Sequence, residues 1–239
     1  MSFVEHLEEL RRRLIVMIAA VVILGIVGWF LAPHILSLLE RPLCLAEKHA
    51  HYNHSFSCRL FTTSIYGAFT LKLKVAVVTG IILSFPIILS QAWAFVVPAL
   101  PTRFYRYGPF VIAAGIVLFA AGGVTAYEVM PLAINFFIGQ GGNLVTIIAD
   151  GSNYISFVTL IVLVFGISFE MPLVLDLLCI AGITNSRWLW KKRVVVFFII
   201  FAVATLITPG ADWISPLVLG AVLYVLYLIS LLVARALGH

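Results

Sequence analysis

Six apolar runs separated by polar stretches set the plan of this chain, at residues 14–31, 75–97, 109–130, 155–180, 194–207 and 217–234. Runs of this length and polarity predict membrane-crossing helices, because a helix rises about 1.5 Å per residue and a bilayer core is about 30 Å thick. Ahead of the first run, residues 2–13 predict an amphipathic helix. Ser2 and Glu5 have capping-box spacing, Phe3, Leu7, Leu10 and Leu14 recur at helical spacing, and Glu8–Arg12 and Glu9–Arg13 are i,i+4 pairs. The stretch 33–63 is polar and interrupted by Pro33 and Pro42, so it reads as an irregular outer loop; 131–153 and 208–216 read as further outer loops. The second helix begins before its span, near Ser64, since residues 64–97 would reach roughly 51 Å. The fifth run is short: at 14 residues it reaches only roughly 21 Å, so the bilayer thins around it or its flanks snorkel.

One acid breaks the pattern. Glu170 lies inside the fourth run, roughly 22 Å from its outer end, where insertion of a carboxylic acid is disfavoured by at least about 2.5 kcal/mol. Pro172 removes the bond to the carbonyl of Ser168, so a bend is expected beside the acid, with Ser168, Glu170 and the freed carbonyl forming one polar spot. The acid is either bonded within its own bundle, a docking point for another membrane helix, or a protonation site in a transporter.

Composition agrees with a multi-span protein: 63% hydrophobic, 10% charged, mean hydropathy +1.14. The net charge of +5 could suggest nucleic acid, but the bases cluster between apolar runs, where topology explains them. With both termini inside, ten of the fifteen basic residues are cytoplasmic and five are outside, which predicts a cytoplasmic N- and C-terminus. Glu5, Glu8 and Glu9 ahead of the first run argue for a retained span rather than a cleaved signal. No internal repeat is visible.

Cys44 and Cys58 both fall in the first outer loop and can form a disulfide there; a zinc site with His49, His51 and His54 is the rival reading. Cys179 reads as a small buried hydrophobe. No phosphate-binding loop, metalloprotease helix or nucleophile elbow appears, and Asp176 lies about 120° round the helix from Glu170, so the two acids make no catalytic pair. Neither an enzyme nor a cofactor is expected.

Three segments are more specific: His6-Leu7-Glu8-Glu9-Leu10-Arg11-Arg12-Arg13, Gln91-Ala92-Trp93-Ala94-Phe95-Val96-Val97-Pro98 and Phe165-Gly166-Ile167-Ser168-Phe169-Glu170-Met171-Pro172. They resemble, in order and across nearly the whole chain, the signature segments of the TatC family, the large subunit of the twin-arginine protein translocase. The resemblance implies an all-α, six-span receptor for twin-arginine signal peptides in the bacterial inner membrane. It also implies assembly with TatA-type and TatB-type single-span subunits, self-association, and export of folded proteins driven by the proton motive force. Glu9 would match the signal-binding carboxylate, with Leu10, Arg11 and Arg13 in the same motif. Phe95 and Pro42 would match positions linked to signal recognition and translocation, Glu170 the acid that meets a partner helix, and Asp212 an acid of the last outer loop. A carboxylate suits such a signal, since it accepts paired N–H bonds from a guanidinium.

The chain departs from that pattern at Phe104, where a second signal-binding glutamate is expected, and at Pro216, where some members are polar. Glu8, or the ring faces of Phe104 and Tyr105, are the candidate substitutes. The competing reading is a proton-coupled small-molecule transporter with Glu170 as carrier, against which the absent repeat counts.

Overall fold

The computed structural model describes residues 3–49, 60–62, 64–99, 102–141, 150–207 and 214–236. These form eight helices: α1 Phe3–His49, α2 Gly67–Val96, α3 Gly108–Gly141, α4 Gly151–Phe169, α5 Met171–Ile180, α6 Ser186–Lys191, α7 Arg193–Ile207 and α8 Ile214–Ala236, with 3-10 turns at Val97–Ala99 and Thr102–Tyr107. An isolated bridge between Phe61 and Asp150 is the one extended pairing among the described residues. Four segments are long and apolar enough to cross a membrane, Val4–Ala46, Gly67–Val96, Tyr105–Asn135 and Gly151–Ile180, while Arg193–Thr205 and Leu219–Arg235 are shorter apolar helices.

The helices pack as neighbours in sequence, α1 along α2 and α3 along α4, with α8 closing against α5 and α7. One buried cluster joins Phe165, Phe169, Leu219, Leu223, Tyr227 and Leu231; a second joins Leu43, Val75, Met130, Ile155 and Val158. The α3–α4 crossing is close enough to require a glycine, because a Cβ on Gly122 would lie 2.7 Å from the Phe165 carbonyl oxygen.

The structure corrects the sequence reading of residues 33–49. Rather than becoming irregular at Pro33, α1 continues through both prolines to His49. Pro42 has no N–H for the carbonyl of Leu38, and that carbonyl instead accepts the Tyr127 hydroxyl of α3 at 3.0 Å. The next carbonyl, of Leu39, accepts the Tyr154 hydroxyl of α4 at 2.6 Å. Burial completes the explanation: Pro42, Leu43 and Ala46 are buried, so tertiary packing holds a helix that local propensity disfavours. The connection expected at 131–153 is also shorter, since α3 runs through Pro131 to Gly141 and buries Ala133 and Ile134.

Two boundaries follow chain chemistry directly. Asp150 caps α4 by accepting the Asn153 N–H at 2.9 Å, and Asn185 caps α6 by accepting the Trp188 N–H at 2.7 Å. The fourth apolar run, expected as one segment with a bend, is split at Glu170 into α4 and α5, with Pro172 in the first turn of α5. Cys44 sits within α1 and is disulfide-bonded; Cys58, Arg59, His51 and His54 lie outside the described residues, as do Ser2, residues 208–213 and hence Asp212.

The two tyrosines generate a test. Tyr127→Phe leaves the Leu38 carbonyl without its donor and should cost about 1 kcal/mol of stability in detergent thermal unfolding. In a Pro42→Ala background the restored N–H takes over that carbonyl, so the same change should become nearly neutral. Strictly additive losses would refute the proposed division of labour.

Candidate functional site

At one end of the bundle the first turns of α1 meet the last turn of α2. Helical spacing places His6 and Glu9 on one face of α1. The His6 ring stacks on Phe95, centroids 4.4 Å apart and planes 21° from parallel. One turn further, Glu9 accepts Arg13 Nε at 3.1 Å and Arg13 Nη2 through the same oxygen. This is the single ion pair among the described residues; the spacing-equivalent Glu8 and Arg12 are both exposed and make none. Leu10 is half-buried, and Arg11 is exposed. The structure thus brings Glu9, Leu10, Arg13 and Phe95 into one neighbourhood. An entering guanidinium would find a carboxylate held by a neighbouring arginine of its own chain, with an aromatic surface beside it.

Phe104 lies on the turn Thr102–Tyr107, which joins α2 to α3 at this same end; its side chain is outside the described part. Nearby, Arg106 donates to the Tyr107 hydroxyl at 3.0 Å and lies over its ring, and Tyr105 is exposed. Trp93 borders the start of α3, where a Cβ on Gly108 would fall 2.6 Å from the indole Nε1.

The second candidate feature lies deeper. Glu170 is 9% exposed, and neither carboxylate oxygen has a hydrogen-bond partner among the described residues. The expected polar spot is therefore only partly formed, for Ser168 sits two residues away without bonding to the acid, while Pro172 is buried. Gly115 of α3 makes the room: a Cβ there would lie 3.1 Å from Glu170 Oε2 and 2.3 Å from Leu89 Cδ2 of α2. Asp176 accepts a long bond, 3.4 Å, from Ser230 of α8.

Pro42 lies at the other end of α1, roughly 54 Å of helix from His6, and shares no site with Glu9. Sequence reasoning missed four participants. His6 stands in the first signature segment with no role assigned to it, and its three-residue spacing from Glu9 is the signal that could have found it. Gly115 recurs seven residues before Gly122 on α3, a small-residue pattern that marks close helix packing in membranes. Tyr127 and Tyr154 carried no local signal.

Comparison with known proteins places this geometry. The TatC family profile, described as Sec-independent protein translocase protein (TatC), matches residues 5–221. A protein named Sec-independent protein translocase protein TatC from Carboxydothermus hydrogenoformans is 34% identical, over 98% of this chain and 93% of its own length. The Escherichia coli K12 protein of that name is 33% identical over 97% of this chain and 87% of its own length. For the Frankia casuarinae protein of that name, 32% identical, the chain spans 65% of the relative's length. A crystal structure of the twin-arginine translocase receptor TatC superposes with a TM-score of 0.80 at 32% identity, covering 98% of this chain and 100% of that one. These relatives are named as transport components, not enzymes. With its apolar helices, its family match across most of its length and this shared fold, the chain belongs to the TatC family of Sec-independent protein translocases.

Proposed function

We propose that this protein is the signal-peptide receptor of a twin-arginine translocase, with six spans and both termini in the cytoplasm of a bacterium, in its inner membrane. It captures paired arginines at the His6–Arg13 end of α1 and works with TatA-type and TatB-type single-span subunits and further copies of itself. Folded cargo is then exported at the expense of the proton motive force. The observation that carries the reading is the His6–Phe95 stack, which brings the acidic α1 motif onto the aromatic end of α2. Arg13 keeps the Glu9 carboxylate oriented until a signal guanidinium displaces or shares it. An i,i+4 helix pair is worth only about 0.3 to 0.5 kcal/mol, so little stability is lost when a signal guanidinium takes Arg13's place.

Glu170 has the complementary role. A carboxylic acid walled off from water, with both oxygens unpartnered among the described residues, is matched by a polar side chain on an incoming helix. Asp212 and Pro42 belong to the outer side of the same machine, as does the disulfide at Cys44, expected to involve Cys58.

Three outcomes test this function. Glu9→Ala should lower site-specific crosslinking of a twin-arginine signal peptide about tenfold, and unchanged capture would remove Glu9 from the site. Phe104→Glu should tighten signal binding by supplying a second carboxylate; no gain would show that Phe104 is not where a charge is wanting. Glu170→Ala should reduce copurification of single-span subunits about tenfold, with the purified chain otherwise folded. Recovery and export at wild-type levels would instead sink the partner-helix role.

A further inference from the structure

We propose that the junction of α6, α7 and α8 binds one anionic phospholipid headgroup, its phosphate bridging Arg193 and Arg235. The proposal does not depend on the receptor reading, only on α6 lying at a membrane surface. That position follows from the chain: α5 ends at Ile180, α7 begins at Arg193, both are apolar, and α6 turns the path between them.

The junction is built rather than loose. Leu189 is 4% exposed, and its carbonyl accepts the buried Tyr227 hydroxyl of α8 at 2.7 Å. This fixes α6 against α8 and thereby positions the next residue, Trp190. The indole carries two guanidiniums, with Arg193 of α7 at 4.8 Å and Arg235 of α8 at 4.5 Å from the ring centroid. Their central carbons therefore lie no more than about 9 Å apart. A phosphate accepting N–H bonds from two guanidiniums spans about 8 Å between those carbons. Arg193 uses one N–H on the Trp190 carbonyl at 3.3 Å, which leaves four of its five donors.

Charge points the same way. Arg187, Lys191, Lys192, Arg193 and Arg235 are all exposed, and none is paired with an acid among the described residues. Two guanidiniums gathered on one neutral ring repel each other unless an anion is shared between them. A headgroup is the anion at hand. The α7 helix has 15 residues and reaches about 22 Å, less than the roughly 30 Å hydrocarbon core, so lipids beside it are drawn inward and their phosphates approach Arg193. Basic pockets between membrane helices hold anionic headgroups in this way.

Native mass spectrometry of the full-length chain in detergent, titrated with phosphatidylglycerol, phosphatidylcholine or inorganic phosphate, tests the site. One phosphatidylglycerol should bind in preference to phosphatidylcholine, and inorganic phosphate at equal concentration should not displace it. R193Q/R235Q should weaken phosphatidylglycerol binding about tenfold. W190L changes no charge yet removes the shared platform, so it should weaken binding too, whereas W190F should retain it. K72Q, a charge lost on α2, should have no effect. Wild-type binding by R193Q/R235Q, or losses that follow net charge so that K72Q weakens binding and W190L does not, would overturn the proposal. Displacement by inorganic phosphate would assign the site to a soluble anion instead. Should R193Q/R235Q fail to fold, the W190L and W190F pair decides.

Discussion

Within a bilayer a polar group can bond only to protein, and this requirement explains more of the architecture than apolar packing does. Pro42 frees a carbonyl in α1, and tyrosines from α3 and α4 reach across to Leu38 and Leu39. Lys74 of α2 is held by Ser152 and Ser156 of α4, at 2.7 Å and 2.8 Å between Nζ and the hydroxyls. At the end of the bundle, Tyr227 of α8 likewise donates to the Leu189 carbonyl of α6. Each bond joins helices distant in sequence. Together they fix the bundle's register where lipid-facing side chains, apolar on every side, could not.

Among the described residues the Asn135 and Thr184 side-chain oxygens and both oxygens of Glu170 are buried without a partner; Glu170 alone of the three is a carboxylic acid, and its surroundings make room for it. Gly115 withdraws from the carboxylate, Gly122 lets α3 approach the α4 backbone at Phe165 and Gly166, and Gly166 leaves room for the Phe119 ring of α3. The acid is thus held in a gap between α2, α3 and the α4–α5 break. A buried acid with no bond among the described residues carries a desolvation cost that a hydrogen-bond partner would relieve. The opposite arrangement holds at the Glu9 end, where the carboxylate already has a partner in Arg13.

Much of this was legible in the residues. The apolar runs at 109–130 and 217–234 each lie within one helix, as does 75–97 up to its last residue, and the break at Glu170 follows from Pro172, whose ring acts on the turn immediately before it. The Glu9–Arg13 pair was readable from i,i+4 spacing. Such features depend on neighbours within four residues, and the chain alone determines them.

What the chain alone did not determine was the fate of residues 33–49, the contact between His6 and Phe95, and the space beside Glu170. Pro42 by itself argues for ending a helix; the donors that keep α1 helical come from Tyr127 and Tyr154, 89 and 115 positions away from the carbonyls they reach. Likewise the depth of Glu170 is a property of its own apolar run, but whether its oxygens find a bond depends on which residues of α2 and α3 face it. A local pattern fixes where a polar group lies along its helix, and only the packing of other helices decides what it can bond to.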